Sequence, residues 1–137
     1  AEAIRTWNPE GWGLEIEFPG DVTFKTTSPI VLVNNQQSIG ASFIPAPYTS
    51  NSDGTVNLLL SETNNIPQHA LAALRIRKGN LEKFPAFKSF ELKEFRLKSQ
   101  NPQRALTFFG DGEILHKDVQ ELSIRCLHRG LPVMVNK

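Results

Sequence analysis

The stretch "GLEIEFPGDVTFKT" (Gly13 to Thr26) sets Leu14, Ile16 and Phe18 on alternate positions, breaks at Pro19-Gly20-Asp21, and then alternates Val22 and Phe24. Period two gives each arm one apolar face, and the break has turn chemistry, so the stretch reads as a β-hairpin. The pattern recurs outward from it. "PIVLVNN" (Pro29 to Asn35) is apolar on successive residues, as in a strand buried on both faces. "TVNLLLSE" alternates Val56, Leu58 and Leu60. In "FKSFELKEFRLKS", Phe90 and Leu92 hold one phase and Phe95 and Leu97 the other. The slip at Lys93-Glu94 marks a bulge or a break between two strands. "ALTFF", "EIL", "VQELSIRCL" and "LPVMVN" add further short strands, while "IPAPYTSNSDG" (Ile44 to Gly54) is a loop.

One helix stands out, about Ile66 to Lys78. Asn64 or Asn65 can cap it, Pro67 suits its first turn, and cations with Gly79 close it. Ala70, Leu71, Leu74 and Lys78 share one face at helical spacing. One helix among nine or ten strands predicts a mainly β chain: an antiparallel β-sandwich, or an irregular barrel, with one or two short helices. The 137 residues suffice for a single domain over 1–137, and nine Phe supply core area.

Net charge is +1 but uneven. Residues 1–74 carry two basic and seven acidic side chains, and residues 75–104 carry nine basic and three acidic. The middle block suits either a solvated face or an anionic partner such as an acidic membrane surface. Cys126 is the only cysteine, so no intrachain disulfide forms, which fits a reducing, cytoplasmic setting. No apolar run approaches the length that spans a bilayer.

The chain has no Walker loop, GxSxG, HExxH or CxxC, and His69, His116 and His128 lack metal-ligand spacing. Two acidic glycine turns remain. "NSDGTV" is a favoured turn, and Asp53 with nearby carbonyls has the donors a hard cation needs. "TFFGDGEIL" (Thr107 to Leu115) is a hairpin signal, yet it puts Glu113 two residues after Asp111, close enough to shift one carboxyl towards acid/base work.

The order of motifs resembles a family. "IVLVNN" is followed by "SIGASFIPAP", "NSDGTVNLLL", "LAALRIRKG", "FGDGE" and "LSIRCLHRGLPVMV". This is similar to the C-terminal domain of the diacylglycerol kinase and sphingosine kinase superfamily, over roughly residues 12–136. The resemblance implies a β-sandwich that packs on an N-terminal nucleotide-binding domain, which this chain lacks. It implies an ATP- and Mg²⁺-dependent enzyme that phosphorylates a lipid hydroxyl, with diacylglycerol as the leading substrate. Asp111 takes the role of general base and Glu113 supports it. Asp53 and the Thr55 carbonyl fall at a structural Mg²⁺ site. The chain departs from the pattern at Ser52, where the family usually has a second aspartate, and at Gly40-Ala41, where its glycine cluster is reduced.

The expectation is therefore an excised second domain, inactive alone. It would serve an enzyme that works in the cytoplasm, peripherally at an anionic membrane and without a nucleic-acid partner. An apolar patch left by the missing domain would favour a homodimer. The alternative is a stand-alone lipid-binding or regulatory β-sandwich without catalysis.

Overall fold

A computed structural model describes residues 12–28, 30–36, 44, 47–50, 53–63, 65–79, 81–110 and 113–128. The opening hairpin forms as read. β1 (Trp12–Phe18) and β2 (Val22–Ser28) pair antiparallel, with Phe18 opposite Val22. Gly20 and Asp21 both take positive φ, 86° and 59°, which turns the chain within three residues. β6 (Glu94–Ser99) joins the other edge of β1, and β9 (Glu121–Arg125) joins β6, giving one four-stranded sheet in the order β2-β1-β6-β9.

The second sheet runs β3 (Val31–Asn34), β4 (Val56–Ser61), β5 (Phe87–Leu92), all antiparallel. Ile16, Phe95 and Leu97 of the first sheet meet Val56, Leu58 and Leu60 of the second in one core. Two antiparallel sheets closing face to face on a shared core make the β-sandwich, and each fully buried Leu or Ile there stabilises it by about 1.5–3 kcal/mol. The described strands close no barrel.

Every residue of β4 is buried. The alternation of Val56, Leu58 and Leu60 serves the sandwich core, while Leu59 faces a second cluster with Ala72, Leu81, Phe84 and Phe87. That cluster lies under α1 (Ile66–Ile76) and a short 3-10 turn at Leu81–Lys83. Asn65 occupies the helix N-cap, but its side chain makes no capping bond. Its N–H donates instead to Thr63 Oγ1, at 3.1 Å, and Thr63 is also hydrogen-bonded to Gln68. The helix packs through Ala72 and Ile76. The face shared by Ala70, Leu71, Leu74 and Lys78 is the outward one, with Leu71 43% and Leu74 65% exposed.

The slip at Lys93-Glu94 is where the chain leaves one layer for the other: β5 ends at Leu92 in the second sheet and β6 begins at Glu94 in the first. The earlier crossing, from β2 to β3, is tied by Ser28. Its hydroxyl donates to the Ile30 carbonyl at 2.6 Å and accepts the Ser61 N–H at 3.1 Å. β7 (Leu106–Gly110) and β8 (Glu113–Val119) pair with each other alone among the described strands. "EIL" is thus the start of a longer strand, and "LPVMVN" lies outside the described residues. No helix among the described residues is long and apolar enough to cross a membrane.

The basic block divides in two. Its strand residues are matched to carboxylates, Lys88 to Glu62 and Arg96 and Lys98 to Glu17, with Arg96 also on Glu121. At the helix end, Arg75 lies over the Phe84 ring, 5.0 Å from its centroid. Lys78 and Lys83 there form no ion pair among the described residues.

Candidate functional site

The turn before β4 is held by its own aspartate. Thr55 N–H donates to Asp53 Oδ1 at 2.9 Å, and the Thr55 hydroxyl lies 2.9 Å from the same oxygen. The backbone N–H first, and the hydroxyl after it, hold the Asp53 carboxyl below its ordinary range. Gly54 has φ of 80°, and a Cβ there would lie 3.0 Å from His128 Nδ1. Only glycine suits that turn, both for its left-handed backbone and for the imidazole lying against it.

A second carboxylate converges on the turn from β5. Glu91 Oε2 is 3.2 Å from the Thr55 hydroxyl, while Oε1 accepts from Thr49 Oγ1 at 3.1 Å and from Asn57 Nδ2 at 3.0 Å. Asn57 Nδ2 also reaches Ser89 Oγ at 2.6 Å. A threonine hydroxyl has one proton, so at any moment it donates to only one of the two carboxylates beside it. Two carboxylates with a hydroxyl between them are the hard-oxygen donors that suit Mg²⁺ or Ca²⁺. No group of three or more His, Cys, Asp or Glu side chains that could hold a metal occurs among the described residues.

Glu91 is absent from the sequence reading. In "FKSFELKEF", Ser89 and Glu91 look like the solvent face of an amphipathic strand. Only the register, which sets Glu91 opposite Asn57, brings it to the turn.

The opposite feature is the β7–β8 hairpin. Glu113 opens β8, is exposed, and pairs with Gly110. Asp111 and Gly112 lie outside the described residues. Leu106 packs on the sandwich core at the base of the hairpin, whereas Phe109, Ile114 and Leu115 near its tip are 64%, 54% and 53% exposed. Glu113 has no hydrogen bond or ion pair to Asp53, Thr55 or Glu91 among the described residues. Among the described residues, Glu113 and the Asp53 turn are thus separate features. Between Asp53, Lys93, Arg125 and His128 lies an open cavity of about 420 Å³ that Glu113 does not line.

The histidines have different settings. His69 Nε2 meets Ser61 Oγ at 2.8 Å and the ring stands edge-on to Phe87. Burial lowers its pKa below the ordinary 6.5. His116 is exposed within β8, and His128 covers Gly54. Cys126 is half-buried against the sandwich core, its N–H bonded to the Lys93 carbonyl at 2.8 Å.

No family model and no curated relative matches the sequence. Solved structures do match its fold. One from Bacillus anthracis strain Sterne, described as "a putative diacylglycerol kinase", aligns with a TM-score of 0.59 at 19% identity. The alignment covers 90% of this chain and 41% of that one. A diacylglycerol kinase structure from the same strain aligns at 0.54 and 11% identity, over 90% of this chain and 43% of that one. The chain thus has the fold of part of these structures and spans about two-fifths of their length.

Proposed function

We propose that this chain is the substrate-side, C-terminal domain of an ATP-dependent lipid kinase, and that it acts on diacylglycerol or a similar lipid alcohol. The supporting observation is the fold match, which takes in nearly all of this chain and a minority of each diacylglycerol kinase structure. That is the relation expected of one domain in a two-domain enzyme. The exposed apolar flanks of the β7–β8 hairpin suit a segment that docks on further protein.

In this reading Asp111 accepts the proton of the lipid hydroxyl as its oxygen forms a bond to the γ-phosphorus of ATP. The bond from that phosphorus to the β–γ bridging oxygen breaks, and ADP leaves. Glu113, two residues on, supports the charge at the same edge. Mg²⁺ at the nucleotide would offset charge on the transferring phosphoryl group. Asp53, Thr55 and Glu91 would hold a structural cation away from the reacting atoms. This chain alone, without the nucleotide-binding part, transfers no phosphate. The enzyme works in the cytoplasm at the membrane surface.

The test is ATP-dependent phosphorylation of diacylglycerol in vesicles by the complete natural polypeptide. Turnover that survives Asp111→Asn unchanged rejects the base assignment. The second reading, a lipid-binding module without catalysis, draws on Ser52, which replaces a carboxylate of the family's pattern. It predicts lipid binding with no phosphoryl transfer.

A further inference from the structure

Helix α1 is turned the unexpected way round. Its packing face is Ala72 and Ile76, while Ile66, Leu71 and Leu74 stand 65%, 43% and 65% exposed. A surface helix of a globular protein normally buries its leucines. Leucines held outward on an ordered helix mark a surface that something else covers.

Their neighbours indicate what covers them. Leu71 and Leu74 line a shallow groove of about 570 Å³ together with Arg75, Lys78 and Lys83. Residues 66–79 contain no Asp or Glu, and Lys78 and Lys83 lack carboxylate partners among the described residues. Apolar side chains flanked by cations on one helix face are the makings of an interfacial helix. Its leucines enter the acyl boundary, and its lysines stay at the level of anionic headgroups.

A second copy of the chain is a poor occupant, because a symmetric contact would set these cations against themselves. A stable protein partner is also poorly served. Three apolar side chains fall far short of the roughly 20–30 residues a side that such interfaces use.

We infer that the outward face of α1, through Leu71, Leu74, Lys78 and Lys83, docks the protein on an anionic lipid bilayer. The inference deepens, and rests on, the lipid-kinase reading by naming the surface that meets the membrane of its substrate.

The experiment is sedimentation of the complete natural polypeptide with vesicles of phosphatidylcholine alone and of phosphatidylcholine mixed with phosphatidylglycerol. Binding is expected only to the mixed vesicles, and it should weaken as salt is raised. Leu71→Ser/Leu74→Ser and Lys78→Glu/Lys83→Glu should each lower the partition coefficient by about tenfold or more. All four side chains are exposed, so circular dichroism should stay unchanged.

Variants that bind as the wild type does overturn the inference, and so does a wild type indifferent to phosphatidylglycerol. A serine variant that turns a dimer into a monomer while vesicle binding persists also overturns it, in favour of a second copy. Phosphorylation of a short-chain, water-soluble diacylglycerol by the same samples separates the two claims. Activity without α1-dependent vesicle binding rejects the docking face alone. Vesicle binding that depends on α1, without phosphoryl transfer, rejects the kinase reading and leaves the docking face standing.

Discussion

Asn57 Nδ2 donates to Glu91 Oε1 at 3.0 Å, and the two residues are direct register partners across β4 and β5. The contact ties the buried central strand to the turn at Asp53, because the same carboxylate also takes Thr49 and meets Thr55. Glu91→Ala removes the acceptor of Thr49 and Asn57 together, leaves the Thr55 hydroxyl to Asp53, and leaves the Asn57 Nδ2 donor with only Ser89. A loss of about 1–3 kcal/mol is expected, read as a lower urea midpoint at unchanged slope. Glu91→Gln should fall between, since one of its terminal atoms becomes a donor.

Gly54→Ala meets two penalties, the positive φ and the His128 ring. Together they should cost about 1–3 kcal/mol in urea unfolding. A double-mutant cycle separates them. With His128→Ala in place, the Gly54→Ala penalty should shrink but not vanish, because the backbone term does not depend on the ring. An unchanged penalty would mean that the imidazole moves aside freely.

His69 gives stability a pH dependence of definite sign. Burial depresses its folded-state pKa below 6.5, so between the two values the unfolded chain binds more proton. Stability is full above 6.5 and declines as pH falls through that value towards the folded pKa. His69→Gln should flatten the urea-midpoint profile in this window. Asp53 and Glu17 act lower down. Their depressed pKa values give stability that is present above their ordinary 3.8 and 4.5 and lost below them.

Glu113 is exposed at the start of β8, so Glu113→Gln should move stability by less than about 0.5 kcal/mol. On the lipid-kinase proposal, phosphoryl transfer by the complete natural polypeptide should nonetheless fall, and Asp111→Asn should cost about a hundredfold or more in turnover. Equal loss of stability and activity in Glu113→Gln would assign the residue to the hairpin's fold alone.

The layers of this fold were legible because period two is a local signal. Leu14, Ile16 and Phe18 alternate whatever lies elsewhere, and the phase change at Lys93-Glu94 marked a bulge or a break between two strands, which the fold makes the crossing between sheets. The orientation of α1 was not legible. Leu71 and Leu74 make the more apolar face by composition, and nothing in the sequence says that the narrow space over Leu59 is filled by Ala72 and Ile76 instead. The polar cluster at the Asp53 turn was legible by half. Asp53 and Thr55 are neighbours in sequence, and their mutual bonds follow from the turn. Glu91 lies 36 residues from Thr55, and only strand register brings it there.

The single-residue crossing at Lys93 has a consequence for how such a chain tolerates changes of length. β5 and β6 keep their apolar phases in different sheets, so neither phase constrains the other. One residue inserted inside either strand would turn half its side chains to the wrong face. The same insertion beside Lys93 leaves both phases intact and asks only for a longer bridge. At this junction, sequence length can change by a residue while both layers stay in step.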